Sequence, residues 1–338
     1  MGVAFYHQYK QLGRRCPGHQ IISMEYHPSE LERQYGFSPI AVLLLLLLSM
    51  MLGSGIGTAI THLAGEALGI QLSTLVENFS EQSSRQERDW LRGVNLINHL
   101  FSFVLPALMT VYLLYRTAWG RYLCLRRFPS SDVLVAGIFF LLGTLAISQA
   151  VYWLNQQIPL PSWASDMEDT ASRMVKGLLV MKSPGELAFN LLVIAVVPAI
   201  GEELIFRGIV QQKLEQASAR PIAAIWVSAL IFSAFHLQFA GLFPRLLLGA
   251  ALGYLFYWTR SLWAPIIAHF FVNGLQVTMQ YFKSQALPEA SNIPDINWLG
   301  TAGAALLVVL LSYYLYQHRY KTKAGDEQAD GGPPPTTS

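Results

Sequence analysis

The chain has 338 residues, of which 53% are hydrophobic and only 13% charged, with a formal net charge of +2. Soluble domains carry about 25% charged residues, so this balance points to lipid as the solvent and away from an ordinary soluble globule. The near-neutral charge, without a basic block interleaved with aromatics, excludes a nucleic-acid partner. Cys16 and Cys124 are too few and too far apart for a disulfide framework or a cysteine zinc site.

A helix crossing a bilayer core of about 30 Å needs about 20 apolar residues. The first such run starts near Pro39, behind a polar stretch that is too long and wrongly ended for a cleavable signal peptide. Residues 1–38 are therefore read as a cytoplasmic N-terminal segment. Eight apolar runs follow, near 39–62, 94–115, 133–154, 186–206, 222–239, 243–258, 262–282 and 298–316. The fifth to seventh are joined by very tight turns and predict one compact antiparallel unit. Two polar loops, 66–90 and 155–185, mix acids and bases and can form short amphipathic helices. The tail, 317–338, is polar and rich in Pro and Gly, and predicts disorder. The fold class is all-α: a polytopic membrane helix bundle of about eight transmembrane helices over 39–316, with a catalytic core at 186–282. With eight spans, fifteen Lys and Arg residues fall on the side of the termini and eight on the other, which places both termini in the cytoplasm.

An ionisable residue deep in a span costs about 2.5–3.5 kcal/mol on insertion scales, so each one needs a reason. The fourth run ends in Pro198-Ala199-Ile200-Gly201-Glu202-Glu203-Leu204-Ile205-Phe206-Arg207. Glu203 and Arg207 stand four apart and can pair on one helical face. Glu202 points about 100° away. One guanidinium cannot serve both carboxylates equally, which leaves the second available as acid or base. Read alone, the cluster fits the wet end of a helix equally well. The fifth run, however, carries Phe232 and His236, and the seventh carries His269 and Asn273 one turn apart. A convergent polar site accounts for all of these together. Asn95, Asn98, His99 and Asn190 read as interhelical hydrogen bonders, with Gln276 a candidate for the same cavity. Arg245 and Arg260 read as interface anchors.

Two water-activation schemes suit these residues. In one, Glu202 is a general base, His236 orients the water, and His269 and Asn273 stabilise the oxyanion. In the other, His236, His269 and Glu202 hold a divalent metal, zinc, which activates the water. The sequence does not choose between them.

Glu-Glu-x-x-x-Arg, then Phe-x-x-x-His, then His-x-x-x-Asn, in three successive apolar runs, resembles the CAAX protease and bacteriocin-processing enzyme family, which includes type II CAAX prenyl endopeptidases and bacterial Abi proteins. The resemblance covers about 187–280. It implies an eight-helix intramembrane endopeptidase, commonly described as a metallopeptidase, with Glu202 as catalytic carboxylate and Glu203 and Arg207 in support. It implies His236, His269 and Asn273 as water and oxyanion partners. The expected surroundings are membrane lipid, in a bacterial inner membrane, and a peptide or protein substrate that is lipid-modified or membrane-embedded. The alternative is a non-catalytic immunity or peptide-binding protein of the same fold.

Overall fold

The computed structural model describes residues 35–286 and 297–329. All regular structure among them is helical. Ten helices follow in order: α1 (Pro39–Ala67), α2 (Leu72–Asn78), α3 (Arg85–Tyr122), α4 (Ser131–Asn155), α5 (Ser162–Leu178), α6 (Pro184–Ser218), α7 (Pro221–Ala234), α8 (Leu242–Thr259), α9 (Trp263–Ala286) and α10 (Trp298–Ala329). Each of the eight apolar runs lies largely on its own helix. The two polar loops contribute α2, the start of α3, and α5. Most of the N-terminal segment, 1–34, and the last nine residues of the tail lie outside the described residues. Within the tail, α10 continues to Ala329, past the expected start of disorder at 317. Its Lys, Ala, Glu and Gln are good helix formers and extend the helix before Gly and Pro take over.

Five helices are long and apolar enough to cross a membrane: α1, α3, α4, α6 and α10 up to His318. The remaining three, α7, α8 and α9, fall short of that test for an instructive reason. Helix α7 has only 14 residues, about 21 Å of helix. Helix α8 carries Arg245, and α9 carries His269, Asn273, Gln276 and Lys283. These polar residues interrupt the apolar character of α8 and α9, whereas α7 is apolar but short.

Helix α6 is the axis of the bundle, with 61% of its apolar stretch buried, against 6% for the peripheral α10. One apolar core joins it to α1 and α3 through Leu46, Val111, Leu204 and Phe206. A second core joins α4, α7, α8, α9 and α10 through Phe140, Ile225, Leu255 and Leu315. Large side chains such as Leu48, Met109, Leu306 and Tyr313 point outward. In lipid that outward apolar surface carries no penalty, so close packing and buried polar bonds must hold the helices together.

Two polar fastenings do this at opposite ends of α6. At its start, Arg92 of α3 is fully buried. It donates to Asn190 Oδ1 (2.8 Å), Leu178 O (2.9 Å) and Val180 O (2.8 Å), and pairs with Glu186 at 3.2 Å. Arg88 adds a 2.9 Å bond to the same Glu186 oxygen. Arg88 and Arg92 are thus internal clasps rather than loop charges, and Asn190 makes the interhelical bond expected of it. At the far end, Glu215 takes both guanidinium nitrogens of Arg260, at 2.7 and 3.2 Å. Arg260, read from sequence as an interface anchor, instead ties α6 to the α8–α9 turn. Helix α6 could reach Glu215 only by running on past Arg207, as the apolar and helix-forming stretch 208–215 allows.

Helix α6 is not uniform. It opens into π turns at Leu191–Val196 and Phe206–Gln211, and α3 does so at Leu100–Val104. Two of these precede a proline, Pro198 and Pro106, which has no N–H for the carbonyl four residues back and crowds it. Such turns often mark functional sites. Here they bracket the nine-residue stretch Val197–Ile205 that carries both glutamates.

Across from α6, Gly249 and Gly253 let the backbone of α8 approach. Arg207 Nη2 donates to Gly249 O at 2.7 Å and Gln211 Nε2 to Gly253 O at 3.1 Å, one turn apart on each helix. A Cβ at Gly249 would stand 2.9 Å from the Phe232 ring. Gly249→Ala is therefore expected to cost about 1–3 kcal/mol by overpacking, read as a lowered unfolding temperature in detergent.

Candidate active site

Glu203 is fully buried, and one of its oxygens, Oε1, receives two donors: Arg207 Nη1 at 2.8 Å and His269 Nδ1 at 2.9 Å. Arg207 is 1% exposed and also lies over the Phe232 ring, 4.9 Å from its centroid. The pairing of Glu203 with Arg207 follows directly from the four-residue spacing. The third member, His269, comes from α9 and closes a Glu–Arg–His cluster that no single segment could display.

Glu202 faces the other way. Its carboxylate lines a cavity of about 440 Å³ together with His236, His269, Asn273 and Gln276. Its Oε2 lies 3.8 Å from His269 Nε2. The two sequence-adjacent glutamates are thus divided by helical phase, Glu203 sealed behind His269 and Glu202 open to the cavity.

His236 does not lie inside a helix. Helix α7 ends at Ala234, and His236 sits in the following turn, just before Leu237, whose φ is 50°. The expected span to 239 therefore ends five residues early. The cause is local: the His236 amide turns back to Ser233 O (3.3 Å), and the ring Nδ1 donates to Phe232 O at 3.0 Å. The imidazole replaces the missing helical amide. Because a carbonyl can only accept, Nδ1 carries the proton and Nε2 keeps a lone pair. In the same way, the Glu203 carboxylate makes Nδ1 of His269 the donor. Asn273 Nδ2 donates to Ile194 O at 3.3 Å, the carbonyl that Pro198 cannot serve. All six residues singled out in the sequence, Glu202, Glu203, Arg207, His236, His269 and Asn273, are brought together here. Five of them, with Arg207 excepted, stand in or directly behind the cavity wall.

Three more residues line the cavity that the sequence reading put elsewhere. Arg245 was assigned to the interface, whereas its side chain reaches the cavity from the first turn of α8. Asn95 and His99 of α3 also line it. The His99 ring stacks on Phe103 at 4.4 Å, and its Nε2 is buried without a hydrogen-bond partner. His99 stands two helical turns from Arg92, so the buried clasp also sets which face of α3 meets the cavity. An apolar run interrupted at three- and four-residue intervals by Asn95, Asn98 and His99 was the available signal.

The zinc scheme requires His236, His269 and Glu202 to approach one point to within about 2.0–2.2 Å. Both imidazoles have the tautomer that a metal ligand needs. Among the described residues, however, no three His, Cys, Asp or Glu side chains are grouped to hold a metal ion. As placed, these side chains do not form a three-ligand centre.

Residues 184–275 match the model of the type II CAAX prenyl endopeptidase Rce1-like family. That match supports the resemblance to the CAAX protease family carried by the three motifs. The Rce1-like segment contains every one of the six site residues and spans from the start of α6 into α9. A Bacillus subtilis (strain 168) protein described as "Uncharacterized protein YpbD" is 28% identical over 81 residues, which is 23% of this chain. The match covers 38% of that relative's length. No solved structure matches. Helices α1 to α5, including His99 and the Arg92 clasp, lie outside the Rce1-like segment.

Proposed function

We propose that the chain is an intramembrane endopeptidase that hydrolyses peptide bonds by a glutamate-activated water. The observation that carries this reading is the division of labour around His269. Glu203 and Arg207 hold the imidazole from behind, while Glu202, the His236 Nε2 lone pair and Asn273 share the cavity in front.

Charge counting supports the same roles. With Glu203 ionised against Arg207, the Glu202–His269 pair keeps the cluster neutral whether its one proton sits on the carboxyl or on the imidazole. Glu202 takes a proton from a water held by His236 Nε2, and the oxygen attacks the peptide carbonyl. The second N–H of the Asn273 amide, and His269 when doubly protonated, donate to the oxyanion. Glu202 then returns the proton to the leaving nitrogen, so no net proton is consumed. The substrate is a peptide or protein reaching the cavity from the membrane. The Lys and Arg bias supports cytoplasmic termini, and it persists when the buried cations are dropped from both counts, Arg88 and Arg92 from one side and Arg207 and Lys213 from the other.

The test is the full chain in proteoliposomes against a quenched-fluorescence peptide panel. Cleavage by the wild type is expected, with kcat falling about 10²-fold in His269→Gln, which keeps a donor but removes the second ring nitrogen. Cleavage is also expected to survive phenanthroline. Loss of activity to the chelator, restored by zinc, would reinstate the metal scheme. A panel left uncut would point to the non-catalytic peptide binder, and a panel cut equally by the variant would remove His269 from the mechanism.

A further inference from the structure

Helix α3 lies outside the Rce1-like segment, yet it brings two polar side chains, Asn95 and His99, to the cavity wall. They stand four residues apart, on one face of the helix. Neither belongs to the water-activating group, and neither has its hydrogen bonding used up. Asn95 spends one N–H on Leu91 O at 2.9 Å, and its side-chain oxygen accepts no hydrogen bond among the described residues. His99 Nε2 is buried without a partner. A polar atom stranded inside a membrane bundle is costly, unless a ligand supplies what it lacks.

The wall is also built. The His99 ring lies parallel to Phe103, with 9° between their planes, and Phe103 meets Phe235 edge-on at 6.5 Å. Phe235 is the residue before His236, so the stack leads straight to the turn that holds the water-orienting imidazole. Behind the stack, the π turn of α3 is seated on glycines of two other helices. A Cβ at Gly53 of α1 would collide with the Phe101 carbonyl oxygen, a backbone atom that cannot swing aside. A Cβ at Gly201, next to Glu202, would stand 3.0 Å from Phe103 Cβ and 3.2 Å from His99 Cδ2. His99 thus rests against the segment that carries Glu202, and His236 and His269 act on its ring through space.

We propose that Asn95 and His99 form a backbone-binding rail, on which the substrate lies extended beside the scissile bond. Four residues of α-helix rise about 6 Å. An extended peptide presents backbone groups to the same edge every two residues, about 6.6–6.8 Å. The two side chains therefore match successive groups along one edge of a strand, the backbone-reading mode of peptide recognition. A peptide drawn from water into the bundle needs those groups satisfied by the protein. His99 is a positioning residue in this scheme and takes no part in the proton transfers. The inference rests on the peptidase reading for the bond that is cut, but not for the binding step.

The experiment compares the wild type with His99→Phe, His99→Gln and Asn95→Ala, each as the full chain in proteoliposomes. The substrates are one cleaved peptide, its alanine-substituted versions, and versions shortened one residue at a time from each end. His99→Phe keeps the stack on Phe103 and removes the stranded nitrogen. Its unfolding temperature is expected to be unchanged or raised, while KM rises about 5- to 10-fold with kcat little changed, the effect of one lost hydrogen bond. Asn95→Ala is expected to raise KM in the same way. His99→Gln, which returns a polar group to the Nε2 position, is expected to recover part of the loss. The KM penalty is expected to be the same for the alanine-substituted peptides, because the backbone is what is read. It is expected to vanish once shortening removes the residues on the rail, and the end at which this happens assigns the side of the scissile bond. An unchanged KM in His99→Phe, a penalty that persists in every shortened peptide, or one that follows a single side chain overturns the proposal. A second arm measures binding of the fluorescein-labelled peptide to the Glu202→Gln chain. Binding that weakens in Glu202→Gln/His99→Phe upholds the inference even if no peptide is cut. Equal binding by the two chains, or none by either, overturns it.

Discussion

Glu202→Gln is expected to lower peptide cleavage by about 10²- to 10⁴-fold, the range that a positioned general base contributes, while leaving the fold intact. The substitution keeps the size and hydrogen-bonding reach of the side chain but removes the basic oxygen that must accept the water proton. Glu202 is 8% exposed, and that remaining exposure is to the cavity. It makes no ion pair with Arg207, so removing its charge strands no partner guanidinium. The closest charged neighbour is His269, at 3.8 Å, which can take its neutral form. The check is kcat on the peptide panel together with the unfolding temperature of the purified chain. Cleavage within a few-fold of the wild type would remove Glu202 from the mechanism. A large fall in unfolding temperature would show that its role is structural.

Arg207→Met is expected to behave in the opposite way, costing about 3–5 kcal/mol of stability, because it leaves a buried carboxylate without its cation. Glu203 is fully buried, Arg207 is 1% exposed, and they meet at 2.8 Å. Methionine preserves much of the apolar stem, so the change isolates the charge and its bonds to Glu203 and Gly249 O. The second substitution decides the interpretation. Adding Glu203→Gln to Arg207→Met removes the stranded charge and is expected to recover a large part of the loss, while activity stays low because His269 no longer has a carboxylate behind it. The readouts are denaturation in a fixed detergent and cleavage of the same peptides. Additive losses in the double variant would contradict a paired role for Glu203 and Arg207.

These two variants separate residues that stand side by side in the chain. The sequence alone states that one of the two glutamates can pair with Arg207, since only Glu203 has the four-residue spacing. It also states that Glu202 must face elsewhere, because adjacent helical residues diverge by about 100°. What lies in that other direction could not be read from α6 alone. His269 is 66 residues from Glu203, and the hydrogen bond between them depends on how α9 docks against α6.

The membrane class, the all-helical fold and the three motif segments were legible because each rests on local composition and short periodic spacing. Lipid rewards long apolar runs and penalises every buried charge, so the exceptions stand out in the linear chain. Arg245, His99 and Arg92 were not legible in the same way. Each sits near the polar end of a run, where an interface anchor, a simple hydrogen bonder and a loop charge look identical in sequence. Packing alone made Arg92 a clasp to Glu186, turned His99 toward the cavity, and set Arg245 over Gly241 in the cavity wall. The sequence by itself determined which residues are costly to bury. The tertiary structure decided which partners they meet, because those partners lie on other helices and helix docking is a long-range property of the whole bundle.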